Sequence, residues 1–157
     1  MNILIGDIGN TKTKICLVNY KTTKITKIYY FDSNQIVSLS FLGKILKKIL
    51  NKKKVIRVSL FSSVVPRYHL MFKKILMNKY KIKLLEIKEK KIKKIIKINI
   101  KNKKQVGSDR IANAVGVYKK YKSNCIVLDF GTATTFDVVM KNGTYNGGII
   151  APGVNLS

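Results

Sequence analysis

Two stretches of the chain repeat one design, and that repetition limits the fold more than any other feature. Residues 2–8 form a short β-type run that holds Asp7 and passes into the turn Gly9-Asn10-Thr11-Lys12. Residues 124–130 form a second run that holds Asp129 and passes into Gly131-Thr132. Each is followed by two further strand-like runs, 13–20 and 24–31 in the first case, 134–140 and 144–151 in the second. Asn142-Gly143 marks a hairpin between the last two. Between these triplets the period changes. Phe41, Leu42, Ile45, Leu46, Ile49 and Leu50 recur at helical spacing with Lys44, Lys47, Lys48 and Asn51 opposite, which predicts an amphipathic helix over 38–51. A strand over 55–61, a helix over 67–80 and a strand over 82–87 follow, with Pro66 just before the helix. The lysine-dense stretch 88–104 reads as a loop and then a strand, and Ser108 or Asp109 can cap a helix running to about residue 121.

The order βββαβα, strand, helix, then βββ again predicts an α/β protein with a mixed five-stranded sheet whose architecture restarts near residue 123. We therefore expect a first domain over 1–122 and the opening strands of a second, similar one over 123–157.

The charge of the chain needs a separate account. It carries 32 basic against 7 acidic side chains, a formal net charge of +25, yet 46% of its residues are hydrophobic, which excludes a disordered basic tail. Of the basic residues only Arg57, Arg67 and Arg110 are arginine, while 22 Ile and 13 Asn accompany the lysines. Base-reading and phosphate-clamping surfaces favour the planar guanidinium, so scarce arginine points to a lysine-coated ordinary fold. A functional polyanion surface stands as the alternative. Either origin predicts non-specific, salt-sensitive attraction to polyanions at low ionic strength, with no specific nucleic acid as partner. Cys16 and Cys125 lie in apolar runs without a CxxC spacing and read as reduced, buried thiols, and His69 reads as a helix-face residue. The first residues lack the pattern of a signal peptide and no apolar run approaches the roughly 20 residues of a membrane span, so the expected setting is cytoplasmic, with no membrane partner.

Against that lysine background the acids are informative. Asp7 lies in DIGNTKTK (7–14), Asp109 in GSDR (107–110), and Asp129 and Asp137 in DFGTATTFD (129–137). A strand ending in Asp and followed by Gly lets the backbone turn closely around a ligand, with Thr hydroxyls beside exposed N–H groups, which suits a phosphate. The Asp at each strand end would serve the cation that accompanies a nucleotide. For one such loop alone, an ordinary hairpin with Asp and Thr as turn formers explains the residues equally well. The repetition favours the nucleotide. In GSDR, Ser108 and Asp109 could simply cap a helix; alternatively Asp109 accepts the proton of an attacking hydroxyl and Arg110 holds an anionic part of the acceptor.

DIGNTKTK, SSVVP (62–66), VGSDR (106–110), LDFGTATTFD (128–137) and GGIIAPG (147–153) occur in the order and approximate spacing of the type III pantothenate kinases, which the chain resembles. That family belongs to the superfamily of acetate and sugar kinases and actin-like ATPases, built from two ribonuclease-H-like domains. The resemblance implies that Asp7, Ile8, Gly9, Asn10, Thr11, Lys12, Thr13, Lys14 and Thr132 contact ATP. It implies that Asp129 ligates a monovalent cation, K⁺ or NH₄⁺, and that Asp7 lies near Mg²⁺ through water. Gly107, Ser108, Asp109 and Arg110 would contact pantothenate, with Asp109 as proton acceptor. The implied reaction is ATP-dependent phosphorylation of pantothenate to 4'-phosphopantothenate, the first step of coenzyme A biosynthesis, in a cytoplasmic homodimer. Where the family commonly has Tyr-x-Asn-Pro, this chain has Ile100-Lys101-Asn102-Lys103. The family also continues beyond the APG segment, so by that measure the chain reads as an amino-terminal portion, with its second domain incomplete.

Two other functions fit parts of this pattern. One is a non-catalytic relative acting as a nucleic-acid-associated accessory factor, suggested by the charge. The other is a related small-molecule kinase with a different hydroxy-acid acceptor, suggested by Ile100 and Lys103.

Overall fold

The computed structural model describes residues 1–50, 55–88 and 95–153. The chain forms two compact units, Met1–Glu86 and Ile87–Ser157. Expectations for Asn51, for 89–94 within the lysine-dense stretch, and for 154–157 lie outside the described residues.

In the first unit, β1 (Asn2–Ile8), β2 (Lys12–Asn19) and β3 (Ile25–Asp32) form an antiparallel meander. Short turns permit this arrangement, whereas parallel pairing needs a crossover. Helix α1 (Leu39–Leu50) supplies the first crossover, bringing β4 (Val55–Ser63) parallel to β1, and α2 (Pro66–Tyr80) brings β5 (Lys83–Glu86) parallel to β4. The sheet order is β3-β2-β1-β4-β5, the mixed five-stranded sheet expected from the sequence. Each helix starts as its sequence dictates. The Ser38 hydroxyl accepts the Phe41 N–H at 3.1 Å, and Pro66, which has no N–H to leave unpaired, opens α2.

Strand alternation puts Leu4, Ile8, Ile15 and Leu17 on one face, packed with Leu42, Leu46 and Ile49 of α1 and Phe72 and Leu76 of α2. Phe61 of β4 and Phe72 of α2 stand at its centre, ring centroids 5.2 Å apart and tilted by 56°.

In the second unit, α3 (Ser108–Tyr121) packs on the antiparallel hairpins of β7 (Cys125–Phe130), β8 (Ala133–Val139) and β9 (Thr144–Pro152). The two-residue β6 (Lys97–Ile98) lies parallel to β9, giving the order β6-β9-β8-β7. The β8–β9 turn holds Gly143 at φ 78°, as the Asn-Gly pair predicted. Two features differ from the expected layout. The units divide after Glu86, earlier than 122, because α3 packs on β7 and β8 while Lys97 and Ile98 pair with Thr144 and Tyr145. The N-cap of α3 is Gly107, without a side-chain bond, so neither Ser108 nor Asp109 is the cap.

Register assigns the two faces of this sheet. Asp129, Thr135 and Asp137 share the face on which Arg110 and Asn113 of α3 meet the sheet. Ile126, Leu128, Phe130, Phe136, Val138 and Ile149 share the other face, and all of these except Phe136 are exposed, Phe130 at 65%.

Both cysteines are free and half-buried, not buried as expected. Burial still pushes the Cys16 thiol up from its ordinary value. Among the described residues no helix is long and apolar enough to cross a membrane.

Candidate active site

The first turn of α3 joins the two residue types that the sequence singled out. Asp109 is half-buried, and its Oδ1 accepts the backbone N–H of Arg110 at 2.8 Å, in the turn where the helix dipole favours a carboxylate. The Arg110 side chain reaches Asp137 on β8. Its Nε donates to Oδ1 at 2.9 Å and to Oδ2 at 3.1 Å, and its Nη2 donates to Oδ1 at 2.6 Å. The Tyr145 hydroxyl of β9 donates to the same Oδ1 at 2.6 Å. Asp137 is 0% and Tyr145 1% exposed, so the carboxylate is cut off from water and depends on these three donors.

The charge states follow from that geometry. The hydrogen bond to Asp137 holds Arg110 above its ordinary value, as a permanent cation. Burial, and then the bond to Asp137, push Tyr145 well above its ordinary range, which keeps it a neutral donor.

One turn along α3, the Asn113 side-chain amide donates to Oδ2 of Asp129 at 2.7 Å. That bond fixes the carboxylate while leaving its other oxygen as a donor for a cation. Across the strand pair, Thr135 is the register partner of Asp129, and its hydroxyl oxygen is buried without a hydrogen-bond partner among the described residues. A carboxylate oxygen and an orphaned hydroxyl on one sheet face are hard oxygen ligands, a fit for K⁺ or another oxygen-seeking cation. Among the described residues no group of three or more His, Cys, Asp or Glu could form a metal centre.

Thr132 lies in the exposed turn after β7, where the Gly131 N–H donates to the Ala133 carbonyl at 3.1 Å. The GGIIAPG segment shapes both the turn and the buried acid. A Cβ at Gly153 would collide with the carbonyl oxygens of Gly131 and Thr132, and one at Gly148 would collide with the Phe136 carbonyl oxygen and lie 2.8 Å from the Asp137 carboxylate. At these two positions only glycine lets the backbone segments approach so closely. Ile100 is half-buried beside Gly147, and the Asn102 side chain accepts the Lys104 N–H at 3.3 Å to open a 3₁₀ turn over Lys103–Gln105.

The 7–14 segment belongs to the first unit and is a braced hairpin. Gly9 N–H donates to the Lys12 carbonyl at 3.0 Å, Ser33 N–H to the Thr11 carbonyl at 2.8 Å, and the Ser33 hydroxyl to the Gly9 carbonyl at 2.7 Å. The Thr13 hydroxyl is 2.8 Å from that of Ser33, with both residues fully buried, and Lys12 pairs with Asp32. Asp7, Asn10, Thr11, Lys12 and Lys14 are exposed, Gly9 is half-buried, and Ile8 and Thr13 face the core. Asp7 stands opposite Lys14 in register. The SSVVP segment closes on the same hairpin, since Val64 N–H donates to the Ile8 carbonyl at 3.1 Å.

Of the residues picked from sequence, the structure thus gathers Asp109, Arg110 and Asp129 around α3, and makes 7–14 a hairpin that is exposed except at Ile8, Gly9 and Thr13. Asn113, Thr135, Tyr145 and the role of Asp137 were missed. For Asp137 a signal existed, because it is one of 7 acids and its partner is one of three arginines in a chain of 157 residues.

A model of the type III pantothenate kinase family matches residues 3–157. The chain is 50% identical to a type III pantothenate kinase of Pelagibacter ubique (strain HTCC1062), with 99% of this chain and 60% of that protein covered. It is 35% identical to one of Desulforapulum autotrophicum, again over 99% of this chain and 60% of the relative. The chain therefore spans about 60% of the length of the curated relatives it matches. Among solved structures, an inorganic polyphosphate/ATP-glucomannokinase from Arthrobacter sp. strain KM is similar with a TM-score of 0.53 at 12% identity, over 94% of this chain and 61% of that one. At that identity the likeness is one of fold, the actin-like, ribonuclease-H-like α/β architecture.

Proposed function

Because the chain belongs to the type III pantothenate kinase family, we propose that the protein carrying it transfers the γ-phosphoryl group of ATP to the primary hydroxyl of pantothenate. The product would be 4'-phosphopantothenate, which enters coenzyme A biosynthesis. The observation that carries this reading is that the first turn of α3 presents both Asp109, whose carboxylate takes the Arg110 backbone N–H, and the Arg110 guanidinium, whose charge Asp137 secures.

Phosphoryl transfer asks the protein mainly for positioning and charge stabilisation. In the proposed reaction the pantothenate hydroxyl oxygen bonds to the γ-phosphorus while the bond from that phosphorus to the bridging oxygen breaks. The hydroxyl proton passes to Asp109 and ADP departs. Arg110 holds the acceptor's carboxylate, aided by Gly107 and Ser108. The exposed side chains and N–H groups of the 7–14 hairpin contact the ATP phosphates, with Lys14 supplying positive charge and Thr132 a further contact. Asp129 would hold a monovalent cation and Asp7, through water, Mg²⁺; such ions supply charge neutralisation at the phosphates. A homodimer and a cytoplasmic setting belong to the same reading. The kinase names of the curated relatives favour it over a nucleic-acid-associated factor.

The test is an assay with ATP, Mg²⁺, K⁺ and pantothenate, on this chain and on one extended to the length of its curated relatives. 4'-Phosphopantothenate detected by mass spectrometry is the expected result. Turnover of other hydroxy acids with none of pantothenate would move the assignment to a different acceptor.

A further inference from the structure

We propose that Asp137, locked by Tyr145, is the positioning residue that aims Arg110 at the acceptor's carboxylate. This inference rests on the proposed reaction. A guanidinium has five N–H donors, one on Nε and two on each Nη. The bonds to Asp137 use Nε and one N–H of Nη2, and among the described residues no hydrogen bond of Arg110 involves Nη1. The Nη1–Nη2 edge is therefore left as a complete two-pronged fork, the geometry that a carboxylate accepts bidentately.

What fixes the direction of that fork is the immobility of its anchor. Asp137 is 0% exposed, and its Oδ1 also takes the Tyr145 hydroxyl at 2.6 Å, so the carboxylate cannot turn without breaking a third bond. Gly148 lets β9 lie close against β8 at this point, since a Cβ there would collide with the Phe136 carbonyl oxygen and lie 2.8 Å from Oδ1 of Asp137. An arginine without this anchor would sample many rotamers, and immobilising it on binding would weaken affinity. The arrangement thus assigns Asp137 and Tyr145 to acceptor affinity, leaving proton transfer at Asp109 to set turnover.

Two measurements test this. The chain contains only three arginines, so a ¹⁵N-arginine-labelled sample shows three Nε–H signals, with Arg110→Lys identifying one of them. We expect the Arg110 signal to exchange slowly with water and to lose that protection in Asp137→Asn and, in part, in Tyr145→Phe. In steady-state kinetics, Asp137→Asn should raise KM for pantothenate about tenfold or more with kcat changed less than about threefold, and Tyr145→Phe should shift KM in the same direction by less. An Arg110 signal still protected in Asp137→Asn would overturn the anchor. A lost signal with unchanged KM would overturn its role in acceptor binding. The exchange measurement needs no turnover, so a protein inactive on pantothenate would discredit the proposed reaction while leaving the anchor to be decided by the spectrum.

Discussion

The face of the first sheet that meets α1 and α2 carries Leu4, Ile8, Ile15 and Leu17, whereas the face of the second sheet that meets α3 carries Asp129, Thr135 and Asp137. The outer face of the second sheet is inverted in the same sense, with Ile126, Leu128, Phe130 and Ile149 exposed. Apolar burial stabilises without regard to direction, so the first unit is suited to be a scaffold that holds a braced hairpin at its edge. Burying a carboxylate is costly unless every bond is met, and that cost fixes Arg110 and Tyr145 in one geometry. The contrast teaches where positional accuracy is built into this chain: in the helix–sheet contact between Arg110 of α3 and Asp137 of β8.

Mutations can break this contrast from either side. The largest effect should come from the apolar unit, where Phe72→Ala empties the space beside Phe61 and should cost about 3–5 kcal/mol in urea unfolding. Tyr145→Phe in the charged unit should cost about 2 kcal/mol at pH 7, the contribution of a hydrogen bond to a carboxylate. That cost should also depend on pH. The unfolded tyrosine releases its proton near 10.0 and the folded one only at higher pH, so Tyr145 contributes fully below pH 10 and its contribution falls as pH rises further. The gap between parent and variant should therefore narrow between pH 10 and 11; a constant gap would mean that Tyr145 is not held protonated. The smallest effect on stability, within about 0.5 kcal/mol, should follow Phe130→Lys on the outer face, because that ring is already exposed. The same change should lower self-association in sedimentation velocity, since the exposed apolar residues form one contiguous patch.

Much of this was legible from local patterns. The strands around 7–14, the crossover helices and the Asn142-Gly143 turn depend on residues close in sequence, and periodicity and turn chemistry report them directly. The anchor of Arg110 was not legible, because Asp137 lies 27 residues away and its alignment with Tyr145 depends on a register shift between Asp137 and Val139. The division after Glu86 escaped for a similar reason, since pairing of Lys97 and Ile98 with β9 spans more than forty residues of chain. Thr13 shows a setting that the motif does not report. Its motif marks it as an ATP contact, yet its hydroxyl is buried against Ser33, a partner that only the fold reveals.

The measurement closest to the central claim is turnover of pantothenate by Asp109→Asn at the length of the curated relatives, with pantothenate and ATP binding followed in parallel. The account predicts that binding of both ligands persists while kcat falls by about a hundredfold or more, the scale of a lost proton acceptor. Undiminished turnover in Asp109→Asn would contradict it.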